Sequence, residues 1–377
     1  MRRILSLAVL FPLFILSLPA QDFTDFRVPE RIVSPERVGD TLVLRFGGEY
    51  VSEVRVDGNW LPEPSLMHKR EGVWELRSVG LPADFYTYRY IVDGVPALDP
   101  SNAFVQRSGT EYRNFFIVDS PRARLYGEAS RRGTVSYVWY DSATLGSNRR
   151  MAVYTPYGYG TEKNKKYPVL YLLHGEGDDE ESWLTLGRVA QVLDNLIQQG
   201  RAVPMIAVMP NCSPVEQASF TLGLPEVRNS RSTSSSVFMS TLISEIIPYV
   251  ESHYDALPRK SARALCGIGT GGTVAINTGI MYPGYFDFLL PLSCGVQDNG
   301  HLVDDFLRIK KAGVKLFWTG CGTMDRISYG PSQTLHETLS YIHLDHTFFV
   351  MTGGRDWGVW RHFLTNFAPM IFKYYTD

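Results

Sequence analysis

The chain has 377 residues, with 37 Lys+Arg against 39 Asp+Glu and a formal net charge of −2. That balance argues against nucleic-acid binding, which draws on a basic excess to neutralise phosphates, so no nucleic-acid partner is expected. Hydrophobic residues at 44% and charged residues at 20% describe a chain that buries a large core rather than staying disordered, and the length suits two domains.

The N-terminus reads as a targeting segment. Arg2 and Arg3 precede an apolar run from Ile4 to Leu18, followed by Pro19-Ala20 and polar Gln21-Asp22. A charged start, an apolar middle and a small-residue exit are the pattern of a secretory signal peptide, here residues 1–20. The run is short for a membrane span, Pro12 interrupts it, and the exit carries no Cys for a lipid anchor. No later stretch reaches about 18 uninterrupted apolar residues. The expectation is an exported protein, periplasmic or extracellular, with no membrane attachment after cleavage.

From about Phe26 to Asp119 apolar and polar residues alternate between turn signals. Strands are expected over Thr41–Phe46, Val51–Val56, Gly72–Leu76, Tyr86–Val92 and Asn114–Val118. Tyr86, Tyr88, Tyr90 and Val92 share one face, and Asp93-Gly94 supplies a turn. Short strands at this spacing predict an all-β immunoglobulin-like sandwich over residues 24–119. The run Tyr86-Thr-Tyr-Arg-Tyr-Ile-Val-Asp-Gly94, followed by Asp99-Pro-Ser-Asn102, resembles the early-set modules grouped with family 48 carbohydrate-binding modules. That resemblance implies glycan contact through Trp60, Trp74 or an exposed Tyr. Burial is the commoner fate of such aromatics, so a core role is the expectation.

Residues 120–133 lack periodicity and read as a linker. Beyond them, over 134–377, short apolar runs alternate with helical stretches. Met151–Thr155, Tyr167–His174, Met205–Met209, Ala262–Ile268, Phe288–Leu292 and Val314–Trp318 read as strands, with helices at Val189–Gln199 and Val237–Ser252. Near-continuous apolar strands are what a sheet covered on both faces demands, so the prediction is an α/β fold with a mostly parallel sheet. Cys212, Cys266, Cys294 and Cys321 form no C-x-x-C pair, so neither zinc nor redox chemistry is implied. They read as buried thiols, with a Cys266–Cys294 disulfide left open.

Three landmarks carry the chemical signal. Leu172-Leu-His-Gly-Glu-Gly-Asp-Asp-Glu-Glu-Ser-Trp183 follows one buried strand, and Cys266-Gly-Ile-Gly-Thr-Gly-Gly272 follows another and opens a helix. Gly320-Cys-Gly-Thr-Met-Asp325 and Gly353-Gly-Arg-Asp-Trp-Gly-Val-Trp360 come later. From Val135 onward these motifs resemble the esterase D-like α/β-hydrolases of carbohydrate esterase family 1, which include feruloyl, acetyl-xylan and enterobactin-type esterases. The resemblance implies an α/β-hydrolase domain, no cofactor and no metal. It also implies a triad of Ser in G-x-S-x-G-G, an acid after a later strand, and His in G-G-H-x-W.

Two of those three triad positions differ. Gly269 stands at the nucleophile position and Arg355 at the histidine position, while Asp325 matches the acid. Gly175, Glu176 and Thr270 match the oxyanion-hole elements. Glycine has no nucleophile, and a guanidinium stays protonated and takes up no proton. Losing a triad member removes on the order of 10⁴–10⁶ of kcat. The resemblance therefore leads to a non-catalytic relative that binds a plant or microbial polysaccharide or an acylated, feruloylated oligosaccharide. His174, Trp183, Arg355 and Trp357 are the candidate ligand contacts. Asp178, Glu180 and Glu181 are expected to line an acidic loop beside them. Arg355 is expected either to clamp a carboxylate or to pair with Asp325. The alternative is an active ester hydrolase with an unrecognised nucleophile, for which Ser293, Ser328, His343, His346 and His362 are the available groups. Sequence sets no oligomeric state.

Overall fold

The computed structural model describes residues 32–213, 235–296 and 300–373. The expected leader, residues 1–20, lies outside them. Thr41–Gly47 pairs antiparallel with Val73–Val79, and Glu36–Val38 and His68–Arg70 flank that pair. A second antiparallel sheet is built on Phe85–Val92, with Val54–Gly58 on one side and Glu111–Ile117 on the other. Leu42, Leu44 and Trp74 of the first sheet and Val54, Val56, Tyr86, Tyr88, Tyr90 and Phe116 of the second bury into one cluster. The two-residue period seen in the sequence is the cause, since it places every second side chain on one face.

The tyrosine face has a polar floor. Asp99 accepts hydrogen bonds from Tyr88 (2.7 Å), Tyr90 (3.0 Å) and Ser34 (2.7 Å). Burial pushes both phenols above their ordinary range, so they stay protonated donors. Trp74 is buried, and Trp60 packs edge-on against Tyr86 and Phe116. These aromatics form core. Asp93 and Gly94 both adopt positive φ and close the hairpin onto Val95–Ala97, as their sequence signal predicted. The strand expected from Val51 begins only at Val54, because Asp93 Oδ1 takes the N–H groups of Ser52 and Glu53 before a ladder forms.

The segment 120–133 is not a solvated linker. It contains a short 3₁₀ turn, Ala123–Tyr126, whose Ala123, Leu125 and Tyr126 are buried. Phe85 and Phe115, on the opposite face of their sheet from the tyrosines, join the same cluster as these residues. An apolar triplet with no helical or strand period is a packed connection, and local patterning has no signature for it.

The rest is an eight-stranded sheet. Its order is Thr134–Ser142, Ser147–Thr155, Ile206–Pro210, Val169–Leu173, Arg263–Ile268, Phe288–Leu292, Leu316–Gly322, Thr347–Met351. The first two junctions are antiparallel and the remainder parallel. Leu170 and Leu172 face a cluster shared with helices Val189–Gln198 and Trp357–Phe367. Val169, Tyr171 and Leu173 face another, shared with helices Thr270–Met281 and Leu302–Lys311. Cover on both faces is why these strands are apolar at every position. The helix expected over Val237–Ser252 is interrupted by a π-helical turn, Leu242–Ile246. Pro248, lacking an N–H, sits at the start of the helix that follows. Among the described residues no helix is long and apolar enough to cross a membrane, and all four cysteines are free thiols.

Candidate active site

The Arg263–Ile268 strand lies inside the parallel part of the sheet and runs straight into the Thr270–Met281 helix through a single residue, Gly269. Gly269 adopts φ +54° and ψ −117°, a backbone that favours glycine. Its N–H donates to Leu292 O at 2.9 Å, which ties the turn to the neighbouring strand. Packing underneath leaves no slack, since a Cβ at Gly271 would lie 2.3 Å from His174 O. This puts the helix start, with N–H groups that have no intrahelical acceptor, at the carboxyl edge of the sheet.

Arg355 reaches the turn from the loop after Thr347–Met351. That loop is fixed by Asp356, whose carboxylate caps the Trp357–Phe367 helix by accepting from Val359 N–H (3.1 Å). The Arg355 guanidinium donates through Nη1 to Ser293 O (2.8 Å) and Ser328 Oγ (2.5 Å). Its Nη2 covers Gly269: a Cβ built there would lie 2.1 Å from it. The arginine therefore occupies the volume into which any side chain at residue 269 would project. Asp325 is buried, and its Oδ2 lies 3.7 Å from Arg355 Nη1. Asp325 Oδ1 accepts from the N–H groups of Ile327 and Ser328, so backbone donors set its position.

Around this turn lies a cavity of about 490 Å³. Thr270, Thr273, Ile276, Asn277 and Ile280 line one wall at helical spacing, with Cys294, Val296, Leu302, Asp305, Ile327 and Ser328 opposite, and Glu176 and Arg355 at the mouth and floor. No motif had marked Thr273, Asn277 or Asp305. The i, i+3, i+7 continuation from Thr270 was the available signal. Among the described residues no histidine lines the cavity. The Ser293 hydroxyl accepts the Trp360 indole N–H (2.8 Å), and Ser328 is engaged by Arg355. Burial raises the Cys294 thiol, which keeps it protonated. His346 pairs with His336 (2.8 Å), and His362 sits beside Arg122 (3.2 Å). Those two histidines, with His343, lie outside this cavity.

Several expected ligand contacts lie elsewhere. His174 is buried. Its Nε2 faces Cys212 N–H (2.9 Å) and its Nδ1 faces Gly175 O (2.8 Å), so both ring nitrogens are engaged and brace the Gly175–Glu176 loop. Trp183 is core, with its indole N–H on Leu173 O (3.1 Å). Trp357 packs edge-on against Trp183 and lines a separate cavity. The acidic loop is closed rather than open: Arg150 pairs with Glu180 (2.7 Å) and Glu181 (2.5 Å), and Arg107 with Asp179 (2.7 Å) and Glu181 (3.1 Å). Asp178, like Asp179, stays half-buried. Burial raises its carboxyl to about 6, against hydrogen bonds from Ser182 and Trp357 that lower it. Of the oxyanion-type residues, Glu176 and Thr270 line the cleft, and Gly175 sits 3.6 Å, by a built Cβ, from Ile268 O behind it. Among the described residues no group of three or more His, Cys, Asp or Glu is placed to hold a metal ion.

A strand, a one-residue glycine turn and a helix at the carboxyl edge of this sheet define the α/β-hydrolase class. Within it the chain belongs to the family described as putative esterase, matched over residues 142–370. The ferulic acid esterase of Anaeromyces mucronatus, solved with ferulic acid, is 26% identical, covers 68% of this chain and 97% of that one, and superposes with a TM-score of 0.57. The enterobactin esterase of Shigella flexneri, solved with enterobactin, superposes at 0.65 with 16% identity, over 90% of this chain and 96% of that one, a likeness of fold. An endo-1,4-beta-xylanase/feruloyl esterase of Xylanibacter ruminicola is 27% identical over 91% of this chain and 44% of that protein. Endo-1,4-beta-xylanase Y of Acetivibrio thermocellus is 23% identical over 75% of this chain and 27% of that protein. The chain spans less than half the length of these two relatives.

Proposed function

We propose that this chain is an exported, non-catalytic esterase relative that binds a plant or microbial polysaccharide, or an acylated, feruloylated oligosaccharide, in the cleft over Gly269. One observation carries the reading: the Arg355 guanidinium fills the space a nucleophilic side chain at 269 would need. The cleft lacks a hydroxyl at the turn and an imidazole to deprotonate one, and Asp325 remains as the third position of the triad. The ligand class follows the names of the relatives, which combine xylanase and feruloyl esterase. The cleft suits it, with apolar walls from Ile276, Ile280, Val296 and Leu302 and a cation at the floor for a carboxylate or ester carbonyl. In this reading the paired N-terminal sheets form an early-set module and residues 134–377 the hydrolase domain.

The test is an assay of the purified chain with p-nitrophenyl acetate and methyl ferulate, beside titration with feruloylated arabinoxylan oligosaccharides. Binding without turnover is expected. Turnover that disappears in Ser328→Ala or Ser293→Ala would establish the active-hydrolase alternative instead.

A further inference from the structure

The eight-stranded sheet ends on Thr134–Ser142 at one side and on the shorter Thr347–Met351 at the other. An exposed edge strand offers unpaired N–H and C=O groups, and proteins blunt such edges with short strands, Pro, Lys or a bulge. Thr134–Ser142 uses none of these. It is nine residues long, pairs with Ser147–Thr155 in unbroken register, and contains neither Pro nor Lys. Its outer backbone groups meet no partner among the described residues. Val135, Tyr137 and Trp139 share one face of the strand, and the two aromatic side chains are each about half exposed. Arg150, itself fixed by Glu180 and Glu181, anchors both rings, with its guanidinium 4.8 Å from the Tyr137 centroid and 6.0 Å from that of Trp139.

The two ends of the strand carry opposite charge. Exposed Arg131 and Arg132 precede it, and exposed Asp141 is its one charged residue. Glu245, which accepts from Ser142 and Thr144, adds a second acid at the Asp141 end. An antiparallel copy of the strand centred on Val138 sets Tyr137 across from Trp139 of the second copy, and Trp139 across from its Tyr137. Those are two cross-strand aromatic pairs on one face. The same operation carries the acidic end of each copy toward Arg131 and Arg132 of the other, whereas a parallel copy would bring like ends together. The strand is therefore complementary to itself in shape and in charge, as an isologous two-fold contact requires.

We propose that Thr134–Ser142 is a homodimer interface, in which two copies of this chain join their sheets edge to edge across a two-fold axis at Val138. The inference stands apart from the cleft reading and survives or fails without it. One strand per copy makes a small contact, so a reversible equilibrium with a micromolar dissociation constant is expected. The test is sedimentation equilibrium of the full chain at low salt, where charge pairing is least screened. Trp139→Asp removes both aromatic pairs and should weaken the dimer at least tenfold. A second arm leaves the aromatic face untouched. Arg131→Glu with Arg132→Glu sets acid against acid and should weaken association, and adding Asp141→Lys to the same chain should recover it. A parent chain that stays monomeric at hundreds of micromolar overturns the proposal, and quenching of its tryptophan emission by xylohexaose would then assign the aromatic pair to a glycan. A dimer unmoved by Trp139→Asp lies elsewhere on the molecule and overturns it too. Failure of Asp141→Lys to recover the charge-reversed variant overturns the antiparallel pairing.

Discussion

Two polar loops at the carboxyl edge of the sheet have opposite fates. Residues 178–183 hold four acids, and three of them are held by Arg107 and Arg150 from distant strands. The Arg355 loop holds one cation, whose close partners are a carbonyl and a hydroxyl and whose nearest carboxylate oxygen is 3.7 Å away. The first loop is closed by its charges, and the second leaves the Arg355 side chain 27% exposed beside a cavity. Local density of charge therefore says little about where a site lies. What decides is whether the opposite charges arrive from elsewhere in the chain.

That contrast is open to perturbation. The largest effect is expected at the cleft. Gly269→Ser combined with Arg355→His restores an Oγ and an imidazole beside Asp325, and p-nitrophenyl acetate hydrolysis should rise at least about a hundredfold over the parent. A folded double variant with parent-level rates would show that the cleft walls, not only two residues, have diverged. At the closed loop, Arg150→Met leaves Glu180 buried without its cation and Glu181 with Arg107 alone, which should cost about 3–5 kcal/mol in urea unfolding. An unchanged midpoint would mean the pairs contribute little.

Smaller effects follow. Gly269→Ser alone forces a side chain onto Arg355 Nη2 and a non-glycine residue into φ +54°, for a loss of about 1–3 kcal/mol without turnover. The double variant should regain part of that stability, and equal losses in both would assign the whole penalty to the backbone. Asp178 supplies the pH test. Its folded value of about 6 exceeds the ordinary 3.8, so the folded protein holds a proton the unfolded chain has lost. Its contribution is favourable below about pH 4, declines as pH rises to 6, and stays diminished above that. Asp178→Asn should melt higher than the parent at pH 7, by an amount that shrinks toward pH 4. A constant gap across that range would assign the effect to the hydrogen bonds of Asp178 instead.

The sheet was legible because burial on both faces writes unbroken apolar runs, as in Val169–Leu173, and the turn at Gly269 because glycines crowd where backbones touch. The fate of Trp183 and His174 was not legible. Both follow a buried strand as ligand contacts would, and only the third dimension shows that Leu173 O and Cys212 N–H claim their polar atoms. The cleft wall of Thr273, Asn277 and Asp305 was hidden for another reason: two of the three ride on a helix whose lining face carries no motif, and Asp305 comes from a different helix. The tie between Arg107 and residues 179–181 spans more than seventy positions, a separation that no local pattern encodes.

The placement of Arg355 over Gly269 also constrains how this chain could change by descent. A serine arriving first at 269 collides with a guanidinium anchored by two hydrogen bonds, whereas a histidine arriving first at 355 clears the space. The two exchanges are therefore expected to couple, a serine at 269 costing more beside Arg355 than beside a histidine.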